Sequence, residues 1–261
     1  MTFHPAKCKV LSVTLQRNVR DNALPYSYGL NGTVIDYVIS QTDLGVIVNT
    51  KLNFGAHCNA LVVKANSKLG LLKRTCHFTT NKRQKRSFYL AIVRSIFEHC
   101  SVIWSPQNST YVEKFSVVQR RAVKWIYGEQ FESYSDTVFF DKQKDLDILP
   151  IKQKFIFNDI LLLYKILNGH VPISLPPYMS LISPVDVRLT RRTASILDLS
   201  DTTTLQCNIT PSCDAFRHSF FYRTMRRWNS LPASVRQAVT ISSLKLLLTK
   251  FLWSCDTDWP D

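Results

Sequence analysis

Between Asp43 and Glu98 the chain carries ten cations and no acid: Lys51, Lys64, Lys68, Lys73, Arg74, Lys82, Arg83, Lys85, Arg86 and Arg94. They make up most of the formal charge of +14. Such a run can neutralise phosphates and displace counterions condensed on a nucleic-acid backbone, which gives affinity without reading sequence. Lys64 and Lys68 lie one helical turn apart and share a face opposite Leu61, Leu69 and Leu72. Lys82 to Arg86 (KRQKR) falls where a helix should begin, and cations there oppose the helix dipole. A cost of that kind points to a ligand. A solvated helix face is the other reading of the same charges. Gln119, Arg120, Arg121 and Lys124 form a second basic group, read either as phosphate contacts or as a solubilising face paired with Glu113.

Other chemistries are poorly served. His57-Cys58, Cys76-His77 and His99-Cys100 are neighbours, but no C-x2-C or H-x3-H spacing accompanies them. Adjacent helical residues diverge, so a zinc site is not expected. Seven cysteines, an odd and scattered set, are expected to be free, largely buried thiols in a reducing compartment. No G-x-S-x-G is present, and adjacent Cys and His do not give a nucleophile the geometry it needs.

The elements that must position the cations follow from hydrophobic period. Residues 7–14, 26–30, 33–40 and 43–49 read as short strands of one small antiparallel sheet, with Asn31-Gly32 as a hairpin turn. After Lys51 the period becomes helical. Phe54, Cys58, Leu61, Val62, Ala65, Leu69 and Leu72 mark a first helix. A second starts near residues 80–81, with Phe88, Ala91, Ile92, Ser95, Ile96, His99 and Ile103 as its apolar face, and ends at Trp104-Ser105-Pro106 with a buried indole. A third runs from Ser109-Thr110 to Gly128, with Val112, Phe115, Val118, Ala122, Trp125 and Ile126 inward. A fourth, residues 150–168, is apolar nearly all round and should be buried. Residues 170–212 are rich in Pro, Ser and Thr and read as an irregular linker. Two last helices are expected at about 213–228 and 241–253.

The 261 residues, 45% of them hydrophobic with only 7 Gly, supply a real core and favour helices. No run of 18 apolar residues exists, so a spanning helix is not expected. An anionic membrane surface is the other polyanion that the charge could meet, but it needs Trp or Phe beside the lysines; Phe54 and Phe88 belong to inward stripes, so no membrane partner is expected. Residues 1–6 lack the pattern of a signal peptide, and the chain is expected in the nucleus or cytoplasm rather than secreted.

Five segments, at residues 3–13 (FHPAKCKVLSV), 43–74, 89–106 (YLAIVRSIFEHCSVIWSP), 112–126 (VEKFSVVQRRAVKWI) and 216–235 (FRHSFFYRTMRRWNSLPASV), in that order resemble the reverse transcriptases of non-LTR (LINE-type) retrotransposons. FHPAKCKVLSV (residues 3–13) is similar to the K-C-x-V strand after that family's catalytic motif. Residues 43–74, DLGVIVNTKLNFGAHCNALVVKANSKLGLLKR, resemble its D-L-G-V … L-x-F … H … K-A … L-G-x-L-x-R stretch. YLAIVRSIFEHCSVIWSP (89–106), VEKFSVVQRRAVKWI (112–126) and FRHSFFYRTMRRWNSLPASV (216–235) resemble three later motifs of the family. Each segment alone is weak, but the ordered set is specific and spans residues 3–235.

The resemblance implies an α+β, mainly α fold in three parts. Residues 1–50 would be the last strands of the polymerase palm, 51–130 a helical thumb, and 131–261 a helical C-terminal segment holding the linker 170–212. It implies a C-terminal fragment of an RNA-directed DNA polymerase whose partners are an RNA template and an RNA–DNA or DNA duplex, with fingers and upstream palm missing. Phosphate contacts would fall to Lys64, Lys68, Lys73, Arg74, Lys82, Arg83, Lys85, Arg86, Arg94, Arg120, Arg121 and Lys124. The family's adjacent aspartates, which hold two Mg²⁺ ions, have no counterpart here, because no two acidic residues are adjacent. No catalytic residue and no cofactor are therefore expected, with Mg²⁺ confined to the full-length polymerase. The family's Arg-Arg pair is replaced by Lys152-Gln153-Lys154. A stand-alone or domesticated RNA- or DNA-binding module is the other functional reading. For Arg223, Arg226, Arg227 and Trp228 to Leu231 a structural role is favoured, with Trp228 and Leu231 in the core and Asn229 as a helix-end cap.

Overall fold

The computed structural model describes residues 4–13, 26–78, 81–106, 108–128, 135–182 and 203–255. The fold is α+β and mainly α. Asn31 and Gly32, with φ of 51° and 76°, turn β1 (Gly29–Leu30) into β2 (Thr33–Val34), as Asn-Gly predicts. Leu44 and Gly45, also at positive φ, turn β3 (Ser40–Asp43) into β4 (Val46–Asn49). The expected single sheet is instead two separate hairpins. In place of the expected strand, residues 4–13 contribute a 3-10 turn, Pro5–Lys7, and one isolated bridge from Val10 to Tyr37. Residue 14 lies outside the described residues. Val34 and Ile39 are exposed, so no buried face pins these strands into longer ladders.

Helix α1 (Gly55–Thr75) buries Cys58, Ala65, Leu69 and Leu72, as its spacing requires. It begins at a glycine because a Cβ at Gly55 would strike the phenol of Tyr111. Asn81 caps α2 (Lys82–Phe88), accepting from the Arg83 and Gln84 amides at 2.9 and 3.3 Å. The chain continues through a π-helical turn, Tyr89–Arg94, into α3 (Ser95–Glu98). Cys100 then breaks it in a left-handed conformation before α4 (Ser101–Trp104).

This stretch buries a different face from the expected one. Phe88, Ala91, Ile92, Ser95, His99 and Ile103 are exposed, while Tyr89, Val93, Phe97, Ser101 and Trp104 are buried. Those inward residues are mostly four apart. In an α-helix such a row drifts around the axis, and a wider π turn takes up the drift. The α-period therefore selected the wrong stripe.

Asn108 caps α5 (Ser109–Tyr127), and Gly128 ends it at φ 76°. Helix α6 (Asp136–Asp145) has no counterpart in the sequence expectation, because within it only Phe139 and Gln143 are buried. Helix α7 (Ile151–Leu167) is buried along most of its length, as expected. Inside the expected irregular linker, β5 (Met179–Leu181) pairs with β6 (Leu205–Cys207). The rest of the chain is α8 (Asp214–Arg217), α9 (Phe220–Asn229), α10 (Ala233–Arg236) and α11 (Ile241–Ser254).

Two cores meet on α7. In the first, Phe115 packs edge-to-face on Phe97 and Phe155, and Trp104 packs edge-to-face on Phe155 and tilted on Phe115, at centroid distances of 4.8–5.9 Å. Ile156, Ile160 and Leu163 point into the second, with Trp228, Leu244, Leu248 and Leu252. Phe139, Leu146, Ile148, Ile151 and Phe155 belong to the first core.

Candidate nucleic-acid interface

Lys64 and Lys68 stand exposed on α1 while Ala65, Leu69 and Leu72 turn inward. Arg74 is exposed in the last turn. Lys73 is also exposed but lies on the opposite flank, since nine residues from Lys64 amount to about two and a half turns. That flank faces α5. There Lys114 Nζ donates to Asn59 Oδ1 at 2.8 Å, and Arg121 Nη1 donates to Asn66 Oδ1 at 3.0 Å. Partial enclosure, and after it the Arg121 charge, holds the Lys73 pKa below its ordinary value. Sequence reasoning missed Lys114, because nothing in the chain order shows that α5 lies alongside α1.

The first turn of α2 exposes Lys82 and Arg83. Lys82 Nζ sits 4.1 Å from the centre of the Tyr127 ring, and Lys142 Nζ 4.8 Å from it. Beyond this turn the cations go inward, which corrects the expected interface. Lys85 is buried and donates to the Trp125 carbonyl at 3.3 Å. Arg86 is half-buried and donates to the Leu146 carbonyl and, at 3.1 Å, to that of Asp147. Arg94 is 2% exposed. It donates to Gln119 and Glu98 and, at 3.1 Å, to the Leu149 carbonyl. Lys85 and Arg94 fall on the face that the π turn carries inside, so neither can reach a phosphate backbone. Arg120 is half-buried, 3.3 Å from Asp136 and over the Phe139 ring. Lys124 is half-buried, and Arg121 is exposed.

In the C-terminal segment Arg223 and Arg227 are structural, whereas Arg226, expected to share that role, is exposed. Arg223 makes a two-pronged pair with buried Asp159, both bonds 2.9 Å, and Arg227 adds a third at 3.0 Å. Arg223 also donates to the His218 and Val102 carbonyls, at 2.8 and 2.6 Å. The last of these bonds ties α9 to α4. Trp228 is 1% exposed, and its indole donates to the Thr203 carbonyl at 2.7 Å. Asn229 is not a simple helix-end cap: its amide accepts from Leu205 N and donates to Leu205 O, clamping β6.

The His–Cys neighbours are not assembled as ligands. Among the described residues no group of three or more His, Cys, Asp or Glu comes together. Burial pushes the Cys58 thiol up to about 12. His57 is buried, and its Nδ1 accepts the Ile47 amide at 3.3 Å. Burial, and then nearby His99, lowers its pKa. His99 Nε2 donates to the Leu44 carbonyl at 3.0 Å, so two imidazoles hold the β3–β4 hairpin against the helices. Asp145 accepts from the Tyr127 hydroxyl and Asp147 from Arg86, an arrangement that does not fit a two-metal carboxylate centre. Among the described residues no helix is long and apolar enough to cross a membrane. Comparison with family models, with curated proteins and with solved structures returned no match to the chain.

Proposed function

We propose that this chain is the C-terminal part of a non-LTR retrotransposon reverse transcriptase, a thumb and tail that grip the template–primer duplex without carrying the polymerase carboxylates. One observation supports the reading most. Lys64, Lys68, Arg74, Lys82 and Arg83 stand exposed along α1 and the start of α2, in a stretch without a single acid. A surface of that kind lowers its own repulsion when a polyanion arrives. The grip reads phosphates rather than bases.

The test is fluorescence anisotropy with an RNA–DNA hybrid across a salt series. Four to six phosphate contacts give a slope of roughly −4 to −5 in log K against log salt, at about −0.9 per contact. Lys64→Gln with Lys68→Gln flattens the slope by up to about 2 units and leaves the circular dichroism spectrum unchanged. Equal slopes for wild type and double variant would remove these two lysines from the grip.

A further inference from the structure

We infer that the seam between α1 and α5 is a second phosphate track, built from Lys114, Arg121 and Lys73 and aligned by Asn59 and Asn66. The inference rests on the nucleic-acid reading above and deepens it. Asn59, Asn66 and Lys73 recur every seven residues on α1, and Lys114 and Arg121 are seven apart on α5. Asn59 meets Lys114 and Asn66 meets Arg121, so the two helices run in the same direction with their rows in register. Seven residues rise about 10.5 Å along a helix. One nucleotide step rises about 3.4 Å along a duplex axis, so each rung meets a different phosphate.

The chemistry of the acceptors carries the argument further. Asn66 Nδ2 donates to the Val62 carbonyl of its own helix at 3.0 Å, which turns its Oδ1 toward the Arg121 guanidinium. Asn59 presents the same kind of oxygen to the Lys114 ammonium, which also lies 5.2 Å from the Tyr111 ring centre. Amide oxygens orient a cation and leave its charge whole. A carboxylate would orient it and cancel it, as Asp159 does for Arg223. Among the described residues no ion pair joins Lys114, Arg121 or Lys73 to an acid. The Arg121 guanidinium sits close enough to Lys73 to disfavour the ammonium charge there. Like charges held together by neutral side chains make a site for an extended anion. The seam lies on the flank of α1 away from Lys64 and Lys68, so its contribution adds to theirs.

The experiment uses the full chain and the RNA–DNA hybrid salt series. Lys114→Gln with Arg121→Gln is expected to flatten the slope by about 2 units, and to do so again in the Lys64→Gln, Lys68→Gln background. Asn66→Asp, which supplies the missing carboxylate to Arg121, is expected to flatten it by about 1 unit with the fold unchanged by circular dichroism. An unchanged slope in Lys114→Gln, Arg121→Gln, with wild type still binding steeply, overturns the seam and leaves the functional reading standing. An unchanged slope in Asn66→Asp overturns the aligning role of Asn66. Wild type that ignores the hybrid, or prefers anionic lipid vesicles to it, overturns the seam and the functional reading together.

Discussion

The outer face of α1 and the junction of α4, α7 and α9 use the same kind of side chain in opposite ways. On α1 and its seam with α5, cations are exposed, and their hydrogen bonds go to neutral oxygens of Asn59 and Asn66. At the junction, Arg223 and Arg227 are 6% exposed and converge on Asp159, which is fully buried. A cation at the surface keeps its hydration and its charge for a partner. One in the interior has lost its water and must be matched by a counter-charge and carbonyls, as Arg223 is. On the proposed function the first kind would tune binding, whereas the second holds the fold, and removing each should fail a different assay.

The largest effect is expected at the junction. Asp159→Ala leaves two guanidinium groups buried without a counter-ion, and breaking such a pair costs about 3–5 kcal/mol. That is a large share of the total stability of a typical domain, roughly 5–15 kcal/mol. Urea unfolding reads it directly. Replacing all three residues together, Asp159→Leu with Arg223→Met and Arg227→Met, should recover much of the loss, because a buried ion cluster can be exchanged for packed apolar residues. A near-neutral Asp159→Ala would erase the contrast between the two regions.

Much of the helical frame was legible before the structure. The first, third and fourth helices follow α-period stripes with ordinary ends at Gly128 and Gly169. The face of residues 82–104 was not, because a row of inward residues four apart looks wrong to an α-helical template and a π turn is invisible to it. That error placed Lys85 and Arg94 outside, when they belong with Trp125 and Gln119 within. The turn at Leu44-Gly45 was also hidden, since leucine at positive φ carries no turn signal. The seam was beyond reach for another reason. Asn59 and Lys114 are 55 positions apart, and only the packing of α1 on α5 brings them together.

A smaller effect is expected where the β3–β4 hairpin meets the helices. Buried His57 must stay neutral to accept the Ile47 amide, and its folded pKa is lowered by burial and by His99. In the unfolded chain the same imidazole titrates near 6.5. The unfolded state therefore binds the proton first as pH falls. The contribution of His57 is complete above about pH 6.5 and is lost as pH drops through the folded pKa. Urea unfolding at pH 7.5 and at successively lower pH should show this loss in wild type, and a shallower one in His57→Gln. Identical pH profiles would mean that the imidazole does not hold the hairpin.

The smallest effect separates the two regions most cleanly, because stability and binding should move in opposite directions. Lys64 and Lys68 stand four apart on one exposed face, and like charges so placed destabilise a helix by about 0.2–0.5 kcal/mol. Lys68→Gln removes that repulsion and keeps good helix propensity. Its unfolding free energy should therefore rise by a few tenths of a kcal/mol at low salt, and the gain should vanish in high salt, where exposed charges are screened. Hybrid binding should weaken and its salt slope should flatten by about 0.9. A solvated face with no ligand predicts the gain in stability and no change in binding. A structural lysine predicts a loss of stability, as at Asp159. Only a surface shaped for a polyanion predicts that the protein folds better and holds its partner less well, so both measurements on this one variant decide what the α1 lysines do.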